Sequence, residues 1–352
     1  MSKGDLVALT GGTGFVGSHV VDALLAAGYR VRALVRRPES PGWLKGTVVE
    51  IVKGDVRDPA TLPDLVRDAA AVVHVAGKTS ARSEAEYMAA NAGGTVNVAA
   101  AVREQAPGAH LVLVSSQAAG GPSVGGEPVR ASDSPHPVSA YGRSKLAGEE
   151  AVRKAPGVAF TILRPGGVYG PRETAIRDLF VAASKGLVPV LAGGLPRIQL
   201  VFAEDVAAAV CGALARGGRG ESFFVAHPEV LDYRGIAETL AGLPTRRPLM
   251  LPIPGPFIRA AGFLAGALSG FGKGPPVFNA EKANEMLQSA WLCDVSDAQV
   301  ALGQPFRTDF ASGARRTWDW YLERGWIVDR GGKIRQTGEP NDTASNGAAD
   351  GR

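Results

Sequence analysis

Tyr141 and Lys145 stand four residues apart in the run Tyr141-Gly142-Arg143-Ser144-Lys145. On a helix that spacing sets both side chains on one face. A free phenol, with a pKa near ~10, is a poor base at neutral pH. An ammonium beside it favours the phenolate and lowers that value. Such a tyrosine can pass a proton to or from a substrate oxygen. A further hydroxyl should hold that oxygen, and Ser115 and Ser116 end an apolar run a short way upstream.

A second set of residues supplies a place for a cofactor. Thr10-Gly11-Gly12-Thr13-Gly14-Phe15-Val16-Gly17 follows one apolar run and opens a helix-length segment. Gly11 suits a tight turn, Gly14 lets backbone approach a pyrophosphate, and Gly17 lets helix and strand pack closely. Free amides at the helix start would carry the phosphates. The bound group expected is therefore a nicotinamide dinucleotide, whose cationic ring would help to acidify Tyr141. The next strand ends in Val35-Arg36-Arg37, with no acid to bind a ribose 2′-hydroxyl. Two guanidiniums suit a 2′-phosphate, so NADP(H) is favoured and NAD(H) is possible. Asp55, in Gly54-Asp55-Val56, either contacts the adenine amino group or caps the helix near Pro59.

These groups need a frame, and the hydrophobic pattern supplies one. Short apolar runs at 6–9, 30–35, 48–52, 71–75, 110–114 and 159–163 read as buried strands. Helix-length segments at 14–27, 59–68, 84–105 and 140–154 lie between them. The alternation predicts an α/β fold: a doubly wound parallel Rossmann sheet with a ligand crevice at its carboxyl edge. Later segments are less regular. Helices are expected at 174–185, 205–215, 232–243, 256–268, 281–287 and 309–324, and strands at 198–202 and 222–225. They predict a dinucleotide-binding domain over 1–170 and a smaller mixed substrate lobe over 171–330. Elements of that lobe interleave with the main sheet. The polar stretch 331–352 reads as a flexible tail.

Composition narrows the functional classes. The 352 residues carry 38 Lys+Arg against 34 Asp+Glu, a scattered excess of +4 without a basic stripe, so no nucleic-acid partner is expected. Cys211 and Cys293 cannot build a disulfide framework, and the five histidines lack metal-ligand spacing. The start of the chain lacks the pattern of a secretory signal, so a cytoplasmic protein is expected. Residues 251–271 are apolar but interrupted by Pro252, Pro254, Pro256 and Arg259. They can line an apolar pocket, make weak contact with a membrane surface, or simply pack as a helix.

Taken together, these motifs resemble the extended short-chain dehydrogenase/reductase family over most of residues 5–330. The resemblance rests on the glycine run at 10–17, Gly54-Asp55-Val56, His74-Val75-Ala76-Gly77, Asn91 to Asn97, Ser115-Ser116, Tyr141 with Lys145, and Leu163 to Pro171. It implies Tyr141 as the catalytic acid/base, Lys145 as its partner and holder of the nicotinamide ribose, Ser116 as the catalytic serine and Asn91 as a supporting residue. It also implies that Thr10, Gly11, Gly14, Phe15, Val16 and Gly17 meet the cofactor, as do Val56, Ala76, Gly77, Pro165 and Val168. Gly167 before Val168, and Gln117 after Ser116, bring the chain nearer the 3β-hydroxysteroid dehydrogenase and dihydroflavonol-reductase branch. That branch implies hydride transfer between NAD(P) and a ketone or secondary alcohol of a lipophilic, sterol-like molecule. The alternatives are a nucleotide-sugar epimerase or dehydratase and, more remotely, a non-enzymatic NADP sensor. Family members often form homodimers through the helices expected at 84–105 and 140–154, and the same is expected here.

Overall fold

The computed structural model describes residues 1–268, 278–303 and 306–329. The tail expected over 331–352 lies outside the described residues.

Six short apolar segments become strands: β1 (Leu6–Thr10), β2 (Arg30–Val35), β3 (Glu50–Lys53), β4 (Ala71–His74), β5 (His110–Val114) and β6 (Ala159–Pro165). A seventh, Glu221–Val225, completes a parallel sheet in the order Glu221–Val225, β6, β5, β4, β1, β2, β3. Every residue of β1, β4 and β5 is buried, as a sheet covered on both faces requires. Alternation decides which face each residue serves. Val7, Leu9 and Val73 pack in one core with Leu24, Val206 and Val210. Ala8, Val72 and Leu111 pack in the other with Leu65, Val98 and Val152. Burying a Leu or Val side chain contributes about 1.5–3 kcal/mol.

The chain moves outward from β1 through β2 and β3, then crosses back to β4 and runs the other way. The sheet therefore splits its connections between β1 and β4, opening a crevice at their carboxyl ends. Thr10 pairs with Leu34 on one side and His74 on the other, so three strand ends meet there. After residue 170 the chain still returns to this sheet, through the helix Ala203–Arg216 and the strand Glu221–Val225.

Several expected elements take a different form. The helix expected over 84–105 is three consecutive segments: Glu84–Tyr87, a π-helical stretch Met88–Gly93, and Gly94–Gln105. The helix expected over 59–68 is a 3₁₀ turn, Pro59–Thr61, followed by the short helix Pro63–Val66. Pro63 lacks an amide and favours a fresh helix start there. The strand expected over 198–202 divides into Arg197–Ile198 and Leu200–Phe202, which belong to different small sheets. Leu249–Ile253 forms a strand beside Leu187–Leu191 in a two-stranded sheet. Pro252 is tolerated there because its missing amide can face away from the single partner.

The lobe has its own core. Phe180, Leu240, Trp318 and Tyr321 are buried together, joined by Trp320 and Trp326 at its margin. The aromatic residues of the helix Phe310–Glu323 are thus packing groups.

Candidate active site

Tyr141 sits in the first turn of the helix Ala140–Lys154. Ser139 caps that helix by accepting a hydrogen bond from the Gly142 amide at 3.1 Å. The Tyr141 ring lies against Tyr87, with centroids 6.0 Å apart. Burial pushes the phenol up to about 12, and the facing Ser116 hydroxyl offsets part of this rise. For the protein alone this runs against the acidification expected from Lys145. Lys145 donates from its ammonium to the Val114 carbonyl at 2.8 Å, and burial, not this ammonium, is the largest influence on the phenol.

Lys145 is itself buried, and desolvation lowers its pKa from the ordinary 10.5 to about 8, with Glu149 opposing. Between those values the unfolded chain holds a proton that the folded chain has released. Stability from this group therefore rises with pH across about 8 to 10.5. Lys145→Met is expected to abolish that rise and to stabilise the protein at neutral pH by about 1–3 kcal/mol. Thermal melts of both proteins at about pH 7 and ~10 check this; parallel pH profiles would refute it.

Ser116 and Ser115 divide their work. Ser116 lies two residues beyond β5 and caps the short helix Gln117–Gly120, accepting a hydrogen bond from the Ala118 amide at 3.2 Å while remaining partly open beside Tyr141. Ser115 is buried and donates to Glu149 at 2.6 Å, beneath the site. Asn91 lies in the π-helical stretch and is 2% exposed. It accepts from the Lys78 amide at 2.7 Å and donates to the Lys78 carbonyl at 3.1 Å and the Ser144 hydroxyl at 2.9 Å. π-Helical insertions often mark functional positions, because they displace one residue from the regular helix face.

The glycine loop faces the same crevice. Gly11 has φ +79° and holds the turn. A Cβ on Gly17 would lie 2.1 Å from the Gly11 carbonyl oxygen, so only glycine lets the loop close on its helix. The helix Phe15–Ala26 begins at Gly14 with no side-chain cap and no acid in its first turn. Its first amides, from Phe15, Val16 and Gly17, lack helical acceptors and can bind an anion. Gly14 is exposed, and a Cβ there would meet only the Gly11 carbonyl oxygen, at 3.3 Å. At Gly77, across the crevice, a Cβ would lie 3.0 Å from Asn91 Oδ1 and 3.6 Å from Lys145 Nζ. Gly77 is exposed and Ala76 half-buried, so a backbone cradle runs from the glycine loop to Lys145. A nicotinamide dinucleotide fits this cradle, which any side chain at Gly77 would crowd.

Thr10 does not reach that cradle. It is fully buried, against the expectation of a phosphate contact. The Ala76 amide donates to its hydroxyl at 3.2 Å, and the hydroxyl meets His74 Nδ1 at 2.6 Å. On the other ring nitrogen, Nε2 meets Thr95 Oγ1 at 3.0 Å, whose own proton goes to the Asn91 carbonyl at 2.6 Å. This assigns the Nε2–H tautomer to His74, which burial holds neutral with a pKa of about 3. Thr10, His74 and Thr95 thus brace the glycine-loop strand against the Asn91 segment.

Just beyond β2, Arg36 and Arg37 are exposed and form no ion pair among the described residues. Asp55 turns back onto Arg57, at 2.7 Å, and that bond holds its carboxyl below the usual range. The cap before Pro59 belongs to Asp58, so Asp55 does not serve as one. Val56 gives its carbonyl to Asn97 at 3.0 Å. Pro165 is buried at the end of β6, and Val168 is half-buried in the strand Gly167–Tyr169.

Sequence reasoning missed the lobe residues that reach this helix. Glu281 accepts from the Ala140 amide at 3.1 Å, and Glu285 accepts from the Ser139 hydroxyl at 2.5 Å. Glu285 is buried and adds to the upward shift of Tyr141. Its only sequence signal is the four-residue spacing from Glu281, which does not reveal a contact 146 positions upstream.

The NAD dependent epimerase/dehydratase family model matches residues 7–226. A protein named ceramide reductase from Caulobacter vibrioides is 36% identical, over 92% of this chain and 96% of its own length. Sterol demethylase protein B of Methylococcus capsulatus is 30% identical, over 91% of this chain and 99% of its own length. The solved structure of MoeE5 in complex with UDP-glucose and NAD superposes with a TM-score of 0.71. It is 24% identical, over 90% of this chain and 98% of that one, and so shares the fold.

Proposed function

Since the chain belongs to the NAD dependent epimerase/dehydratase family and is an NAD(P)-dependent oxidoreductase, we propose that it interconverts a ketone and a secondary alcohol on a lipophilic substrate. The observation that carries this reading is the meeting of Ser116 and Tyr141 at the open edge of the sheet, with Lys145 and Asn91 converging below Gly77. Ser116 and Tyr141 would hold the substrate oxygen between two hydroxyls. A phenol kept protonated by burial is suited to donate its proton to that oxygen during ketone reduction. Lys145 would hold the nicotinamide ribose, and Asn91 would fix the segment around it. The bound nicotinamide would supply the hydride. The names of relatives that act on a ceramide and a sterol support the lipophilic class.

Arg36 and Arg37 support NADP(H) over NAD(H), because two exposed guanidiniums without an ion pair among the described residues suit a 2′-phosphate. The test follows nicotinamide absorbance with a panel of long-chain and polycyclic ketones, and with sugar nucleotides in a separate arm. Oxidation of NADPH with a lipophilic ketone is expected. Conversion of a sugar nucleotide without net absorbance change would replace this reading with the epimerase. Arg36→Asp/Arg37→Ala is expected to lower kcat/KM with NADPH by roughly ten- to hundredfold, from the loss of charge-assisted bonds, and to spare NADH. An equal loss with both cofactors would refute the NADP assignment.

A further inference from the structure

The helix Gly255–Leu268 carries its bulkiest apolar side chains on the outside. Phe257, Phe263 and Leu264 are 68%, 69% and 58% exposed. Ala260 and Ala261 are also exposed, so positions 257, 260, 261 and 264 form one outward stripe at helical spacing. The opposite stripe is narrow: Ile258 and Gly262 are buried. Leu249 and Leu251 of the adjoining strand are exposed as well, at 68% and 45%. In a water-surrounded helix the polarity runs the other way, so this face calls for an apolar environment.

Charge identifies that environment. From Thr239 to Ala280 the sequence has no Asp or Glu, but it contains Arg246, Arg247, Arg259 and Lys273. Arg246, Arg247 and Arg259 are exposed and form no ion pair among the described residues. An apolar stripe flanked by exposed arginines, in a stretch of sequence without acidic residues, suits the boundary between acyl chains and anionic headgroups. The helix has 14 residues, a length of about 21 Å, too short to cross a bilayer. No helix among the described residues is long and apolar enough to cross one.

The position of this face links it to the reaction. A Cβ on Gly262 would lie 2.7 Å from Ala283 Cβ, so the helix rests closely on Ala280–Met286. That second helix sends Glu281 to the Ala140 amide and Glu285 to Ser139, at the start of the helix that carries Tyr141. A single helix therefore separates the apolar face from the segment that holds the phenol.

We propose that Leu249–Ile253 and Gly255–Leu268 form a docking surface for an anionic lipid bilayer, from which the substrate enters the neighbouring cleft. The entry route rests on the lipophilic-substrate reading; the docking does not. The test is co-flotation of the full chain with phosphatidylcholine vesicles, with and without phosphatidylglycerol. Flotation with the anionic vesicles is expected, weakening as salt rises. Phe257→Glu/Phe263→Glu is expected to weaken it at least about tenfold, while melting temperature and turnover of a water-soluble ketone stay unchanged. Arg246→Glu/Arg247→Glu is expected to remove the preference for phosphatidylglycerol. Failure of the parent chain to float, or flotation of the Phe257→Glu/Phe263→Glu protein equal to it, would overturn the proposal. So would light scattering that shows a dimer split by those substitutions, since the face would then cover a second copy. Vesicle binding without any ketone turnover would strike at the proposed function and leave the docking surface standing.

Discussion

Tyr141→Phe is expected to lower ketone turnover by about 10²–10⁴-fold, the range that a positioned proton donor contributes, and to leave NADPH binding unchanged. The substitution removes one oxygen and keeps the ring, so the packing against Tyr87 survives. The cradle of Gly11, Gly14 and Gly77 lies across the crevice and does not depend on the phenol. Cofactor affinity by fluorescence titration and kcat by absorbance separate the two effects. The pH profile gives a second check. A phenol held near 12 stays protonated through neutral pH, so the rate of reduction should fall on the alkaline side and not on the acidic side. Because burial sets the high value, a positive charge placed near the phenol should move the alkaline limb downward, and a negative one upward. Near-parental turnover by the Phe protein would show that the proton comes from elsewhere.

The frame around this site was legible in the sequence because its signals are local. β1, β4 and β5 are short apolar runs, and a strand buried on both faces has no other pattern to show. The glycine spacing reports a turn in which the clashes of Gly14 and Gly17 are with Gly11 and Gly12, although Gly11 itself is held against the backbone of Val75 and Ala76. The pairing of Tyr141 with Lys145 follows from helical period alone. What the sequence did not give away is where neighbours from afar direct a side chain. The Val114 carbonyl draws Lys145 under the strand, and burial then raises the phenol that the lysine was expected to acidify. Thr10 looks like a phosphate ligand until His74, 64 positions later, takes its hydroxyl. The π-helical stretch around Asn91 has no composition of its own, since Met88-Ala89-Ala90-Asn91 reads as ordinary helix. Glu285 belongs to the lobe, where irregular elements leave little periodic signal, and only the folded chain brings it to Ser139.

A second large effect is expected beneath the site, on stability. Glu149 and Arg164 are 0% and 1% exposed, and they meet in a two-pronged pair at 2.7 and 2.9 Å. The carboxylate also accepts from Ser115 and from the half-exposed Arg153, at 2.6 and 3.0 Å. Glu149→Leu removes every acceptor around a buried guanidinium whose Nη1 already has no partner among the described residues. The expected cost is about 3–5 kcal/mol, the range for a buried charge left alone. Arg164→Met should cost less, because Ser115 and Arg153 still attend the carboxylate. The double variant should be more stable than the sum of the single losses predicts, since it leaves neither charge stranded. Denaturant titrations of the four proteins measure this coupling, and additive losses would refute it. The pair also joins the helix that carries Tyr141 to β6, with Glu149 one turn beyond Lys145 and raising its pKa. The double variant should therefore fold well yet carry a less protonated Lys145. Its activity should then begin to fall at a lower pH than that of the parent chain.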